Sequence, residues 1–320
     1  MAYPTPAVTV TTAATFIPEI WSDEIIAAYK KNLVLANIVM KMNFKGKKGD
    51  TVHIPAPTRG SASAKSASTA VTLIADTETE IQVSINKHFE YSRFIEDIVE
   101  AQALNSLRQF YTADAGYALA KQVDTSLVQL GRAFNGATVG TNDYATSNTS
   151  TKAFIGSDGT TAYNSTTSNA AALTDAAIRR TIQRLDDNDT PMDNRFFLIP
   201  PSSRNTLMGL SRYTEQAFVG NGNAIRTGEI GNLYGIPVFT SSNADTGAGN
   251  SATDRICLMG HKDSMVLVEQ IGIRSQTQYK QDYLATLFTS DTLYGVKALR
   301  AAATTGAALS SSAFALAVPA

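Results

Sequence analysis

Side chains able to do acid–base, metal or nucleophilic chemistry are few in this chain and do not converge. There are three histidines, His53, His88 and His261, and a single cysteine, Cys257. A zinc site needs several His, Cys, Asp or Glu ligands meeting at one point. His53 and His88 fall on two strand-like segments and His261 near the end of an α/β stretch, so the pattern predicts solvated or hydrogen-bonded imidazoles and no metal. Asp186, Asp187 and Asp189 cluster, but no oxygen-ligand loop closing on a bidentate Glu surrounds them. They read as an acidic helix end before Pro191. Gly46-Lys47-Lys48-Gly49-Asp50-Thr51 lacks the spacing and the final pair of a phosphate-binding loop and reads as a basic turn. Gly220-Asn221-Gly222-Asn223 has no strand feeding into it. No G-x-S-x-G elbow occurs. Cys257 sits in the apolar run Ile256–Met259, where a thiol behaves as a small hydrophobe. The expectation is a protein with no catalytic residue, no cofactor and no metal.

Composition agrees. Lys and Arg number 27 against 28 Asp and Glu, a formal net charge of -1, without the basic excess of a dedicated nucleic-acid binder or of a polybasic membrane-surface protein. Hydrophobic residues make up 43% and charged residues only 17%, so a real core forms beneath a lightly charged surface. No apolar run approaches the ~18 residues of a transmembrane helix, and Met1–Thr15 lacks the basic-then-apolar order of a signal peptide. Those features predict a soluble protein made in a cytoplasm. Asn148-Thr149-Ser150 and Asn164-Ser165-Thr166 match the glycosylation string, which carries no weight without export.

The elements that hold these residues are more informative. Met1–Thr15 reads as an extended arm, followed by a helix over about 23–32 with Ile25, Ile26, Tyr29 and Leu33 at helical spacing. Thr51–Ile54 reads as a strand closed by Pro55 and Pro57. Residues 58–70 are almost all Ser, Ala, Thr and Gly, with Arg59 and Lys65 as their charges: a flexible tip. Next, Leu73, Ile81, Val83, Ile85, Phe89 and Tyr91 share one parity, and Asp76, Glu78, Glu80, Gln82, Ser84, Asn86 and Glu90 the other. Period-two alternation of that length predicts a long strand with one apolar and one acidic face, which with Thr51–Ile54 makes an arm-like hairpin. Leu104 to Phe134 then steps by three and four as a long helix.

Residues 135–172 are polar and nearly uncharged, a surface insertion with a small hairpin around Lys152–Ile155. A small α/β layer follows. Thr174 caps a helix with Ile178, Ile182 and Leu185 inward. Phe196–Ile199 is a strand and Ser202–Leu210 a short helix. Residues 212–226 form a loop. Ile236–Thr240, Ile256–Met259 and Met265–Val268 are strands. Gly272–Gln278 and Leu287–Leu299 close an antiparallel sheet around a turn at Tyr283 and Leu284. Ala301–Ala320 reads as a low-complexity tail. The fold class is α+β. A lone hairpin is marginal in water, and a monomer cannot cover an arm, a long ribbon and an insertion, so we expect a homo-oligomer with heterologous contacts that close a shell or extend a lattice.

Several strings, in this order, resemble the major capsid proteins of tailed bacteriophages, with the Hong Kong 97 capsid fold. They are Phe16-Ile17-Pro18-Glu19-Ile20-Trp21, Gly46-Lys47-Lys48-Gly49-Asp50-Thr51-Val52, the helix from Ile95 to Phe134, Leu233-Tyr234-Gly235-Ile236-Pro237-Val238, and Asp282 through Thr292-Leu293-Tyr294-Gly295-Val296-Lys297-Ala298-Leu299-Arg300. The resemblance implies an N-terminal arm and first helix (1–44) and an E-loop hairpin (45–92). It implies a peripheral domain (93–134 with 263–303, spine helix and closing strands), an axial domain (135–262) and a tail (304–320). It implies copies joined as pentamers and hexamers into an icosahedral shell around packaged double-stranded DNA, in a virion assembled in the host cytoplasm. DNA contact would be weak and sequence-independent.

The inter-subunit contact candidates are Arg59, Lys65, Asp76, Glu78 and Glu80. The acidic row wants a basic partner surface and the two cations an acidic one, against the alternative of solvated faces worth ~0–1 kcal/mol per ion pair. The stretch before the hairpin is too short for a fused scaffolding segment, so a separate scaffolding protein is expected, with a portal and, at the 135–172 insertion, a cement or decoration protein. No Lys–Asn cross-link and no membrane contact are expected. Three other readings compete: an encapsulin-like nanocompartment shell, an enzyme on the 174–262 layer, and a Ser/Thr-rich surface adhesin.

Overall fold

The computed structural model describes residues 33–45, 48–55, 62–71, 73, 80–96, 106–131, 153–161, 163, 169–210, 231–244, 254–299 and 312–320. The arm, the expected helix over 23–32, the loop over 212–226 and the contact candidates Arg59, Asp76 and Glu78 lie outside the described residues.

In chain order the elements are α1 (Leu35–Ile38), β1 (Met40–Asn43), β2 (Thr51–Pro55), β3 (Glu80–Ser84), β4 (Lys87–Glu96), α2 (Ser106–Gly131), β5 (Phe154–Ile155), α3 (Asp175–Asp187), β6 (Arg195–Ile199), α4 (Pro201–Met208), β7 (Asn232–Leu233), β8 (Ile236–Thr240), β9 (Asp254–His261), β10 (Met265–Lys280), β11 (Ala285–Ala298) and β12 (Ala313–Pro319). They build a four-stranded sheet ordered β1-β10-β11-β4, a six-stranded sheet ordered β5-β12-β9-β6-β8-β7, and a two-stranded ribbon of β2 and β3.

Both faces of the six-stranded sheet are covered, so its central strands read as unbroken apolar runs; all five residues of β6 are buried. Phe197, Ile199, Cys257, Met259, Phe314, Leu316 and Val318 meet Ile178 and Leu185 of α3 and Leu207 of α4 on one face. Phe196, Leu198 and Leu258 meet Leu127, Val128 and Leu130 of α2 on the other. The same cluster runs on to Met265, Leu267 and Tyr294, so α2 is packed against both large sheets. Its 26 residues span ~39 Å at 1.5 Å per residue.

Local signals account for the helix ends. Thr174 caps α3, its hydroxyl accepting from the Ala177 N–H at 3.2 Å. Arg195 closes the other end, donating to Asp186 at 2.7 Å and to the carbonyls of Thr190 and Pro191. The acidic helix end expected at Asp186–Asp189 is therefore part structural, since Asp186 holds a buried guanidinium. α1 has no cap of its own at Val34; Asp124, from the middle of α2, accepts from the N–H groups of Leu35 at 2.9 Å and Ala36 at 3.2 Å instead. The turn between β7 and β8 is Tyr234-Gly235 with φ of 51° and 80°, the doubly left-handed geometry that matches strand twist in two-residue hairpins.

Four expectations are corrected. The period-two run is not one strand: it breaks after Ile85, and Lys87–Ser92, expected in the hairpin, belong to β4, which pairs with β11. Both segments alternate because each lays one face on a core, and alternation carries no information about which sheet a strand joins. The helix expected from Ile95 is described from Ser106, and Ile95 lies on β4. Gly272–Gln278 is no separate strand but the exposed outer half of a 16-residue β10. The tail is not wholly a tail. Residues 313–318 are fully buried and form β12, between β9 and β5. Ala-Phe-Ala-Leu-Ala-Val carries its large side chains at every second position, and the alanines between them meet the snug face with Tyr163 and Ile256. Within the polar insertion, the Ile155 N–H donates to the Thr161 carbonyl and the Tyr163 N–H to the Ala153 carbonyl, a fold-back where the small hairpin is expected, and Phe154 and Ile155 pair with β12.

Candidate assembly surface

The β2–β3 ribbon carries the described part of the predicted contact row. Its register pairs Val52 with Val83 and Ile54 with Ile81, and His53 with Gln82. The first set faces the body; Val83 and Ile85 are buried against Val266 and Val268 of β10, with Leu293 alongside. The second set faces out. There Glu80 meets His53 Nδ1 at 2.9 Å and accepts from the Gln82 amide at 2.5 Å. The Gln82 hydrogen bond first, and His53 second, hold the Glu80 carboxyl below the usual carboxylate range. Glu80 is thus engaged within its own ribbon. Lys65 is exposed on the chain beyond it.

The ribbon is anchored by its apolar face and by contacts at its root. The Ile85 N–H donates to the Asp50 carbonyl at 2.7 Å and the Gln270 amide to the Gly49 carbonyl at 3.0 Å. β11 comes so close to the end of β3 that a Cβ at Gly295 would sit 2.4 Å from the Ser84 carbonyl oxygen, so only glycine fits without moving backbone. Along β2 and the end of β1 runs an open cavity of about 340 Å³, lined by Met42, Phe44, Val52, Ile54, Pro55 and Ile85, with Lys48, His53 and Gln270 among its polar neighbours.

Two apolar surfaces stand uncovered among the described residues. Val71 and Leu73, on the chain beyond the ribbon, are 68% and 88% exposed. At the far end of the β10–β11 hairpin, Phe94, Tyr283, Leu284 and Tyr279 are all exposed, with the Phe94 and Tyr283 rings 5.7 Å apart. Leu284 sits in the left-handed region at φ 46°, a conformation unusual for a γ-branched residue. Reading the sequence located the turn at Tyr283 and Leu284 but did not mark it as a surface; two large apolar residues at a hairpin tip were the available signal.

The remaining polar side chains brace the fold. Arg274 of β10 holds Asp291 of β11 with two bonds at 2.7 and 2.9 Å, and His88 of β4 reaches the same carboxylate at 3.2 Å, so three strands are pinned at one point. Arg274 chiefly, then His88, holds the Asp291 carboxyl low. His261 Nδ1 accepts from the Asp263 N–H. Cys257 is fully buried and burial pushes its thiol up to about 12. Among the described residues no group of three or more His, Cys, Asp or Glu converges, and no helix is long and apolar enough to cross a membrane.

Mixed sheets joined by a long helix, with a two-stranded ribbon laid on one of them, define the architecture. A family model described as a phage capsid protein matches residues 17–304, and the chain belongs to that family. The structure is similar to that of a protein of Mycobacterium phage Che8 (TM-score 0.71, 21% identity, covering 94% of this chain and 97% of that one). It is similar to the capsid of Cyanophage P-SCSP1u (TM-score 0.73, 20% identity, 96% and 94%) and to the capsid of Ralstonia phage GP4 (0.66, 13%, 95% and 95%). No curated protein matches the sequence. The fold is the Hong Kong 97 type, and the function is that of a major capsid protein, a structural subunit of the virion that assembles with copies of itself into an icosahedral shell.

Proposed function

We propose that the chain forms pentamers and hexamers in the host cytoplasm and that these close around double-stranded DNA of a tailed phage. The observation that carries this reading is the uncovered apolar surface at both extremities, the ribbon end and the β10–β11 tip, in a lightly charged chain. Burial of such surface stabilises by roughly 25 cal/mol per Å², and a shell of copies is the arrangement that buries it on every subunit. The sheet of β5 to β9 with β12 is the axial part, meeting at capsomer centres; the four-stranded sheet and α2 are the peripheral part; the ribbon overlies a neighbour. A scaffolding protein and a portal are the assembly partners, the polar stretch within 135–172 receives a decoration protein, and DNA contact is weak because the net charge of -1 leaves few counterions to release.

Negative-stain electron microscopy of the purified protein, expressed with and without its neighbouring genes, tests the reading. Closed shells of uniform size, or rings of five and six, are the expected result. A monodisperse monomer under every condition would overturn it.

A further inference from the structure

We infer that the cavity along β2 is a binding site for a free amphipathic carboxylate, a medium-chain fatty acid, with its chain against the inner face of the ribbon and its carboxylate at Lys48. The cavity is lined within one copy, so the site goes beyond the shell reading and does not depend on it.

The ribbon lies unevenly on the four-stranded sheet. Along β3 the fit is close: Val83 and Ile85 are buried against Val266 and Val268. Along β2 it is loose. Val52 and Ile54, opposite Val83 and Ile81 in the register, stay half-buried, and so do Met42 and Phe44, which line the same space. The gap is the cavity of about 340 Å³, and its lining follows β2 from Thr51 to Pro55. That stretch is ~14 Å long at 3.4 Å per residue, so the volume is drawn out as a slot. A cavity of roughly 150 Å³ binds a benzene ring. One a little over twice that size holds about twelve carbons of a single saturated chain, and a two-chain lipid does not fit. Mostly apolar walls with a few polar groups at one border are the usual make-up of a small-molecule site.

The border sets the sign of the headgroup. Two of its polar side chains are engaged: His53 meets Glu80 at 2.9 Å, and the Gln270 amide donates to the Gly49 carbonyl at 3.0 Å. Lys48 lines the cavity and is exposed. Among the described residues no carboxylate pairs with its ammonium. The turn that carries it, residues 45–50, has three lysines against one aspartate, so the Thr51 end of the slot is positive. A lysine in such a place lays its stem along the apolar wall and keeps its head in water, where a carboxylate at the mouth of the slot accepts a charge-assisted hydrogen bond. The methyl end of the chain then points along Val52 and Ile54 toward Pro55.

The test is equilibrium dialysis of the full-length protein against radiolabelled decanoate, kept below the concentration at which it forms micelles. Saturable binding at one site per chain is expected. Unlabelled straight-chain acids should compete about fourfold better for each added methylene, the gain from burying one CH₂, and level off past dodecanoate as the chain outgrows the slot. Lys48→Gln should weaken decanoate about fivefold, as for an exposed ion pair, and leave the affinity for decanol unchanged. Val52→Phe fills the slot and should abolish binding at a wild-type melting temperature, whereas Tyr283→Ser, at the other apolar surface, should bind as wild type does. Absence of saturable binding to wild type would overturn the site, and so would a loss in Tyr283→Ser equal to that in Val52→Phe. If Val52→Phe does not fold, Lys48→Gln decides: an unchanged decanoate affinity would overturn the assignment. Wild-type protein that pellets with phosphatidylglycerol vesicles but takes up no free decanoate would make the surface a membrane contact and overturn it too. Subunits and shells are read alike, so a failure to assemble bears on the shell reading alone.

Discussion

Asp124 is the residue whose replacement should most cleanly separate structure from assembly. It is 1% exposed in the middle of α2. One carboxylate oxygen accepts from the N–H groups of Leu35 and Ala36, and the other accepts from the Asn243 amide at 3.0 Å. It thus caps a helix that has no cap of its own and ties α2 to the loop after β8. Asp124→Ala leaves three donors without an acceptor. The Ala36 N–H is only part-buried and regains water; the other two remain, at about 1–3 kcal/mol each, for a total of about 4 kcal/mol. At roughly 2 °C per kcal/mol for a chain of this size, the melting temperature of the unassembled protein should fall by about 8 °C. Asp124→Asn keeps an acceptor for α1, and the Asn243 amide can turn to present its oxygen, so it should cost about 1 kcal/mol. Differential scanning fluorimetry gives both numbers, and hydrogen exchange should show the Leu35 and Ala36 amides opening faster in the alanine variant. A drop below 2 °C for Asp124→Ala, or equal losses for both variants, would refute the argument that satisfying these donors is what the carboxylate does.

Phe314→Ala removes a fully buried ring from the middle of β12 and should cost about 3–5 kcal/mol, read as a loss of melting temperature in the unassembled protein; a near-neutral result would show that β12 is not held in the sheet in solution. Asp291, whose folded-state acidity is lowered by Arg274 and His88, contributes stability that is fully present above the ordinary carboxylate value and lost as pH falls through the lowered one. Wild type should therefore melt higher than Asp291→Asn at neutral pH, with the gap closing only in strong acid. Cys257, with its thiol pushed up to about 12, should resist alkylation at pH 8 in the native protein and react at once in denaturant.

How much of this was legible beforehand differs by element. α3 was readable because every signal for it is local: Thr174 as cap, Ile178 and Leu185 on one face. β6, β8 and β9 were readable as short apolar runs bounded by turns. β12 was not, because alanine alternating with Phe, Leu and Val has a low-complexity look, and the reason for the alanines lies in residues such as Tyr163 and Ile256, far away in the chain. The split of the ribbon from β4 depends on which partner each strand finds, Val52 or Leu293, and a period of two is the same for both. Glu80 was rightly placed on the outer face of the ribbon; that it is occupied by His53 and Gln82 needed the register. The cavity beside the ribbon, formed by β1, β2 and Gln270 of β10, has no signature in any one segment.

The single core shared by α2 and the two large sheets has a mechanical consequence. Packed interiors have low compressibility and transmit strain, so a force on either sheet passes through Leu127 and Leu130 to the other, and rotating one against the other would open that core to water. The ribbon has a smaller backing: it rests on the four-stranded sheet through the Val83 and Ile85 cluster, the Gln270–Gly49 hydrogen bond and the Gly295 approach. In a shell stressed from within, the body of each subunit behaves as a stiff tile and the ribbon as its compliant strap, and deformation gathers at Gly49, Asp50 and Ile85.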